Sequence, residues 1–222
     1  SGESGISGDN TITFDTLSDG TYTPTVTFTD ASGNASTVTL ASFVIDTAAP
    51  TLIEGTVVST PSKDTTPSVV ISSNEAGTIT SSLSITSGES GISGDNTITF
   101  DTLSDGTYTP TVTFTDASGN ASTVTLASFV IDTTAPVITV TSGTDTIERL
   151  SSWTDAGATS DTGETVTASG TVDTTTVGTY TITYNVTDSS NNAATAVTRT
   201  VTVQDTTAPV ITVTSGTDTI ER

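Results

Sequence analysis

The chain has 222 residues, enough for two or three small domains, and a formal charge of −21 from 25 acidic residues against four basic ones, Lys63, Arg149, Arg199 and Arg222. A surface this acidic repels phosphate backbones and anionic lipid, which argues against nucleic acid as a partner and suits divalent cations or a salty medium. With no cysteine and no histidine, disulfides, the usual serine and cysteine triads and the common zinc sites are all excluded.

About a quarter of the residues are threonine, and serine, glycine, valine and isoleucine fill much of the rest. Thr, Val and Ile are stiff at χ1 and favour pleated sheet. No stretch has a convincing period of 3.6, so the expected protein is all-β. High charge with few aromatics can also mark disorder, but the regular alternation described below argues against it. Lys63 is the only lysine, which leaves little scope for lysine–asparagine isopeptide cross-links. No apolar run approaches the roughly 20 residues that span a bilayer, and no signal peptide is visible.

In chain order, residues 1–47 come first, and they return without a change at 87–133. Residues 132–149, "DTTAPVITVTSGTDTIER", recur letter for letter at 205–222. The two periods are 86 and 73 residues, and both frames share one punctuation mark, "DTAAP" at 46–50 and "DTTAP" at 132–136 and 205–209. A short polar stretch that closes on proline cannot continue a central strand and reads as a linker. The organisation that follows is the back part of one repeat at 1–46, a complete repeat of the same type at 51–131, a complete repeat of a second type at 137–204, and the first strands of a further second-type repeat at 210–222. The chain reads as a window on a longer tandem array. The alternative is that the two ends complete each other between subunits by strand exchange.

Within the first type, strands are predicted over 51–58, 67–73, 76–86 (as one strand or two short ones), 97–102, 107–115 and 121–131, separated by Gly, Asp, Asn and Ser turns. That spacing is a β-sandwich pattern. In "TYTPTVTFTD", Tyr108, Pro110, Val112 and Phe114 alternate with threonines, so one face is buried and the other is a threonine ladder. Pro110 suggests an edge or bulge, and the phase change between Leu126 and Phe129 predicts a bulge near Ala127 and Ser128. In "TYTITYNVTD" of the second type, Tyr180, Ile182, Tyr184 and Val186 point inward. Tyr22, Tyr108 and Tyr180 each follow a Gly-Thr pair, the position of the tyrosine corner in immunoglobulin-like sandwiches. An ordinary core tyrosine is the competing reading. Arg199 falls in phase with Val197, Val201 and Val203 on an expected inward face and is placed at its rim, paired with an acid, with a ligand contact as the competing reading to a structural ion pair.

The stretch "APVITVTSGTDTIE" and the segments "WTDAGATS", "VDTTTVGTY" and "NVTDSSNN" resemble a bacterial surface Ig-like domain, a family of large repetitive surface proteins that also occurs in a pesticidal crystal protein. The resemblance covers 137–204. The unit at 51–136, with "TPSVVISSNEAGTIT", "NTITFDTLSDGTY" and "TDASGNAS", is similar to Ig-like repeats of giant bacterial adhesins and biofilm proteins. These resemblances imply tandem immunoglobulin-like β-sandwich domains in a linear array, secretion to the bacterial cell surface, and a role in stalks and adhesion. The partners implied are neighbouring repeats and other copies in a filament, with surface or matrix contacts made by regions elsewhere. The sequons at Asn34, Asn120 and Asn185 are read as chance in a bacterial protein. The second type is short between Ser160 and Thr165, where relatives often carry a longer acidic loop.

No catalytic residue set emerges. Acidic residues fall at turns, where solvated charge is the common explanation, and glycine-rich "SGESGISGDN" lacks the lysine and helix of a phosphate loop. In a seven-strand sandwich the termini emerge at opposite poles, which brings linkers and turns of successive repeats together. At the first junction Asp15, Asp19 and Asp46 are expected to approach Asn74, Glu75, Asp116 and Asn120. At the second, Asp101, Asp105 and Asp132 are expected to approach Asp188, Asn191 and Asp155. Hard oxygen donors gathered this way suit calcium as a cofactor, which takes six to eight oxygens. The competing reading is that these side chains only cap their own turns. Threonine ladders also leave open a carbohydrate- or ice-binding face, against the plainer reading of solvated strand surface.

Overall fold

The computed structural model describes residues 4–213 and 216, and every regular element among them is a strand. The chain divides into two compact units, one of Ser1–Ser59 with Thr65–Phe129 and one of Thr60–Asp64 with Val130–Arg222. No helix among the described residues is long and apolar enough to cross a membrane.

In the first unit, the complete repeat builds two four-stranded sheets. One runs Leu52–Glu54, Ser68–Ser73, Gly94–Phe100, Ile85–Ser87 in spatial order, and the other runs Ala121–Thr125, Thr111–Asp116, Gly77–Ser81, Ser90–Gly91. The alternation predicted from sequence produces the core. Val69, Ile71, Ile98 and Phe100 of the first sheet and Ile79, Val112 and Phe114 of the second are all at most 2% exposed. The intervening threonines form the outer face, and the Thr113 and Thr123 hydroxyls meet across the ladder at 2.8 Å.

The stretch 76–86 forms two short strands, Gly77–Ser81 and Ile85–Ser87, and two further predicted strands are each divided. The strand expected over 107–115 is interrupted at Thr109–Pro110, because proline offers no N–H to the ladder. The strand expected over 121–131 stops at Thr125 and resumes at Phe129. The feature near Ala127 and Ser128 is therefore a break in pairing and not a bulge within one ladder. Leu126 N–H still donates to the Pro110 carbonyl at 2.9 Å, and the Ala127 N–H turns to the Glu54 carboxylate at 3.0 Å. The strand expected over 51–58 is paired as a strand only over Leu52–Glu54, beyond which Gly55 and Thr56 bracket Val70 with backbone hydrogen bonds.

Residues 4–46 share the first unit. Gly20–Tyr22 pairs with Phe43–Ile45, and Thr25–Thr29 pairs with Ala35–Thr39, both antiparallel. The residues corresponding to the strand Gly94–Phe100 form no strand here.

The second unit contains the second-type repeat. Ile138–Val140 pairs with Ala158–Ser160, and a four-stranded sheet runs Thr146–Glu148, Val197–Gln204, Gly178–Asn185, Thr167–Ser169. Thr146–Glu148 lies parallel to Thr202–Gln204 while the other pairs are antiparallel. Ile138, Ile182, Tyr184 and Val186 form a buried cluster against which Trp153 and Val166 pack. Segment Thr60–Asp64 joins this unit through Ser62, which bridges Ile131. Of the stretch 210–222, residues 210–213 form no strand and are exposed. Most of the remainder of that predicted repeat lies outside the described residues.

Candidate metal centre

The turn that follows the long inward-facing strand recurs three times, as Asp30–Asn34, Asp116–Asn120 and Asp188–Asn192. In each, one Asp Oδ1 accepts the backbone N–H groups two and four residues on, at 2.8–2.9 Å, and the other oxygen accepts the Asn Nδ2 at 2.8–3.0 Å. The fourth residue of the turn is left-handed, at φ 89° in Gly33, 93° in Gly119 and 66° in Asn191. Glycine and asparagine tolerate that conformation best, which explains their presence. These hydrogen bonds favour the ionised carboxylate. Asn34 and Asn120 hold Asp30 and Asp116 below the ordinary carboxylate range. Burial alone would raise Asp188, but the Asn192 amides outweigh it, helped by the Ser190 N–H and Lys63, so it too is lowered.

The turn asparagine also reaches the linker before its repeat. Asn120 Nδ2 donates to the Asp46 carbonyl at 3.1 Å, and Asn192 Nδ2 donates to the Asp132 carbonyl at 2.9 Å. This carries the Asp46 side chain to the turn. Carboxylate oxygens of Asp46, Glu75 and Asp116 all lie within 4.8 Å of one another, with Asp116 buried and the other two half-buried. Asn74 lies beside Glu75 in sequence and accepts the Thr51 N–H through its Oδ1 at 2.6 Å. Of the seven residues expected at the first junction, the structure thus gathers Asp46, Glu75, Asp116 and Asn120, with Asn74 at the rim. Asp19 is held by the Thr47 hydroxyl at 3.0 Å, and Asp15 is exposed and outside the group.

Around the second linker, Asp132 Oδ2 accepts the Ser190 hydroxyl at 2.9 Å. The Lys63 ammonium donates to the Asn191 carbonyl at 2.8 Å. Asn191, chosen from the sequence, contributes its left-handed backbone, while the side chain that reaches the linker belongs to Asn192. The D-x-x-x-N spacing shared with Asp116 and Asn120 was the signal that distinguishes the two. Asp101 and Asp105 belong to the first unit, whereas Asp132, Asp188 and Asn191 belong to the second.

Asp155 lies elsewhere, in a network around Arg199. Its Oδ1 accepts the Tyr184 hydroxyl at 2.5 Å and stands 3.7 Å from Arg199 Nε. Arg199 also meets Asp145 at 3.3 Å and donates to the Thr141 carbonyl. Its side chain is 2% exposed, and Nε has no hydrogen-bond partner among the described residues. Gly143 is needed here because a Cβ would strike the guanidinium and the Ala156 methyl. Burial, then the Asp155 carboxylate, pushes the Tyr184 hydroxyl pKa up.

The tyrosine corners are present. Tyr22, Tyr108 and Tyr180 donate their hydroxyls to the carbonyls of Ser18, Ser104 and Thr176 at 2.7, 2.8 and 2.8 Å.

Residues 3–47 and 59–133, more than half of the chain, match the family model described as bacterial Ig-like domain. Residues 133–203 match that described as bacterial surface protein, Ig-like domain. No curated protein matches. Among solved structures, a protocadherin gammaB7 EC3-6 cis-dimer is similar at 13% identity and a TM-score of 0.37. That match covers 83% of this chain and 58% of the protocadherin chain.

Proposed function

The chain belongs to the bacterial Ig-like domain family, and from that premise we propose that it is a stalk segment of a secreted, repetitive bacterial surface adhesin, stiffened by calcium where repeats join. Its role is then mechanical and spatial: repeats hold an adhesive region away from the cell, and length changes by adding or losing units. The observation that carries the calcium part is the group of Asp46, Glu75 and Asp116, whose carboxylate oxygens converge within 4.8 Å. Convergent carboxylates repel one another without a cation, and a hard divalent ion is the counter-charge that oxygen donors select. Bound there, calcium would supply neutralisation and a fixed geometry. This chain's own residues do the rest, since Asn120 holds both the linker carbonyl and the turn carboxylate in place.

The threonine faces support the stalk reading over a carbohydrate- or ice-binding one, because Thr27 with Thr37 and Thr113 with Thr123 hydrogen-bond to each other across the ladder at 2.8 Å. Strand exchange between the two ends has less support. Residues 210–222 repeat second-type sequence, whereas residues 1–46 are first-type.

Calorimetric titration of calcium into the full chain, with melts in calcium and in excess chelator, tests the metal. The expected outcome is saturable binding and a melting temperature raised by roughly 10 °C at a hundredfold excess over Kd. Asp46→Asn with Glu75→Gln should abolish both effects. If binding heat, melting temperature and small-angle scattering profile are all unchanged by chelation, calcium is removed from the proposal, and the proline linkers and direct contacts set the stiffness.

A further inference from the structure

We infer that Glu148 is a latch on the linker that follows the second-type repeat. It holds Thr206 and Thr207 against the repeat, so that tension arriving along the linker is carried by the parallel pair Thr146–Glu148 and Thr202–Gln204 in shear. The inference deepens the stalk reading, which supplies the tension.

The stretch 205–209 is polar and closes on proline, which marks it as a linker in the sequence. Its first residues are nevertheless held. Glu148 Oε1 accepts the Thr206 N–H at 2.6 Å, and the Thr207 N–H and hydroxyl at 3.0 Å each. Glu148 Oε2 accepts the Thr206 hydroxyl at 2.8 Å. Four donors from two consecutive residues thus converge on one carboxylate, and bonds to an ionised acceptor are stronger than neutral ones. The Thr206 hydroxyl, then the Thr206 N–H, hold the Glu148 carboxyl below its ordinary value, so it is ionised at neutral pH. Beside it, Arg149 meets Asp205 at 3.5 Å.

The latch closes the end of a parallel register. Thr146, Ile147 and Glu148 lie opposite Thr202, Val203 and Gln204. Backbone bonds flank that register on both sides, from the Thr202 N–H to the Asp145 carbonyl at 2.8 Å and from the Arg149 N–H to the Gln204 carbonyl at 2.6 Å. The chain enters the repeat ahead of Thr146 and leaves it after Gln204. Pulling from both sides draws two parallel strands in opposite directions along their length, so the bonds between them load together. That holds only while the pull stays along the strand. A linker that swings outward at Gln204 peels the same bonds apart one at a time. Thr206 and Thr207 lie just past Gln204, and Glu148 is the last residue of the opposing strand. Holding the two threonines there keeps the exit in line with the ladder.

Constant-force spectroscopy on the full chain, tethered by its two ends, tests the latch. Unfolding of the second-type repeat is recognised by the chain it releases, about 24 nm against about 28 nm for residues 51–131 at full extension. Forced unfolding reads the barrier and not the equilibrium. Glu148→Ala should shorten the lifetime of the second-type repeat about tenfold at fixed force and leave the first-type repeat unchanged. Thr206→Val with Thr207→Val removes two of the four bonds at residues outside any strand. That variant keeps the fold and should shorten the lifetime about threefold. Tyr180→Phe weakens the same repeat away from the latch, so it should lower the stability read from Trp153 and leave the lifetime within about twofold of the parent. An unchanged lifetime in Glu148→Ala, or one shortened as much by Tyr180→Phe, would overturn the inference. Should Glu148→Ala fail to fold, the double threonine variant decides, and an unchanged lifetime there overturns it equally. Each of these results leaves the stalk reading standing, because the lifetime under applied force is measured whatever the chain's role.

Discussion

Arg199 is a charge at 2% side-chain exposure, and its fate shows how one residue can organise a segment without regular pairing. It grips Thr141 and Asp145 on one side and Asp155 on the other, pinning the chain between Ile138–Val140 and Thr146–Glu148. Removing one partner of a buried pair strands the other, so Arg199→Ala should cost about 3 kcal/mol. Asp145→Ala, at a side chain 55% exposed, should cost less than about 1 kcal/mol. Trp153 is the only tryptophan and packs on the second-type core, so denaturant curves followed by its fluorescence report that repeat alone. The same probe reads pH. Asp188 is held below its ordinary value of 3.8 in the fold, so it stabilises above the unfolded carboxyl pKa, and that contribution is lost as pH falls through the folded value. Stability should be flat from neutrality to about pH 5 and decline below about pH 4, more gently in Asp188→Asn. That Arg199 faces inward and pairs with an acid was legible from its phase, but it lies buried and not at the expected rim. Which acids was not, because Asp155 is 44 residues away in sequence and only the fold brings it there.

At the scale of elements, alternation placed most strands and turn residues placed most loops. The exceptions share a cause. A strand in a sandwich can leave its ladder midway, and the sequence mark of that event is a phase change that a bulge would also produce. In residues 4–46 the segments on either side of Ala41–Ser42 pair with different strands, Ala35–Thr39 with Thr25–Thr29 and Phe43–Ile45 with Gly20–Tyr22. In the complete repeat the break at Ala127 is further held by Glu54, which accepts its N–H. Deleting Ser128 would turn Val130 inward in place of Phe129, and loss of cooperative unfolding of the first-type repeat is the expected result. Tyr108→Phe removes only the corner hydrogen bond and should cost about 1 kcal/mol in the same measurement. Asn120 was chosen from the sequence, whereas at the second linker the choice fell on Asn191 and the side chain that reaches it is that of Asn192. The approach of Asp46 to Glu75 and Asp116 was expected from the sequence; that Asp19 turns instead to the Thr47 hydroxyl and Asp15 stays exposed needed the fold.

At the scale of the molecule, the duplicated segment supplies its own control. Intrinsic exchange rates are the same in identical sequences, so differences report tertiary cover alone. Amides of Thr111–Thr115 should exchange far more slowly than those of Thr25–Thr29, and equal protection would mean that the first copy is covered in solution. The −21 charge adds a second expectation. Calcium should stabilise the first unit more than screening by an equal ionic strength of monovalent salt, because convergent carboxylates select a divalent ion while dispersed surface charge does not.

By itself the sequence determined the strand class, the repeat frames, the tyrosine corners and the Asp–Asn turns. These arise from side-chain preferences and from hydrogen bonds spanning a few residues, and they are the same in both copies of residues 1–47. The tertiary structure alone decided which of those residues are core. Residues 94–100 form a strand with Phe100 0% exposed, while the same letters at 8–14 form none and leave Phe14 42% exposed. A ladder and a buried ring both require partners, and those partners, Ser68–Ser73 and Gly77–Ser81, belong to a front half that covers only one of the two copies.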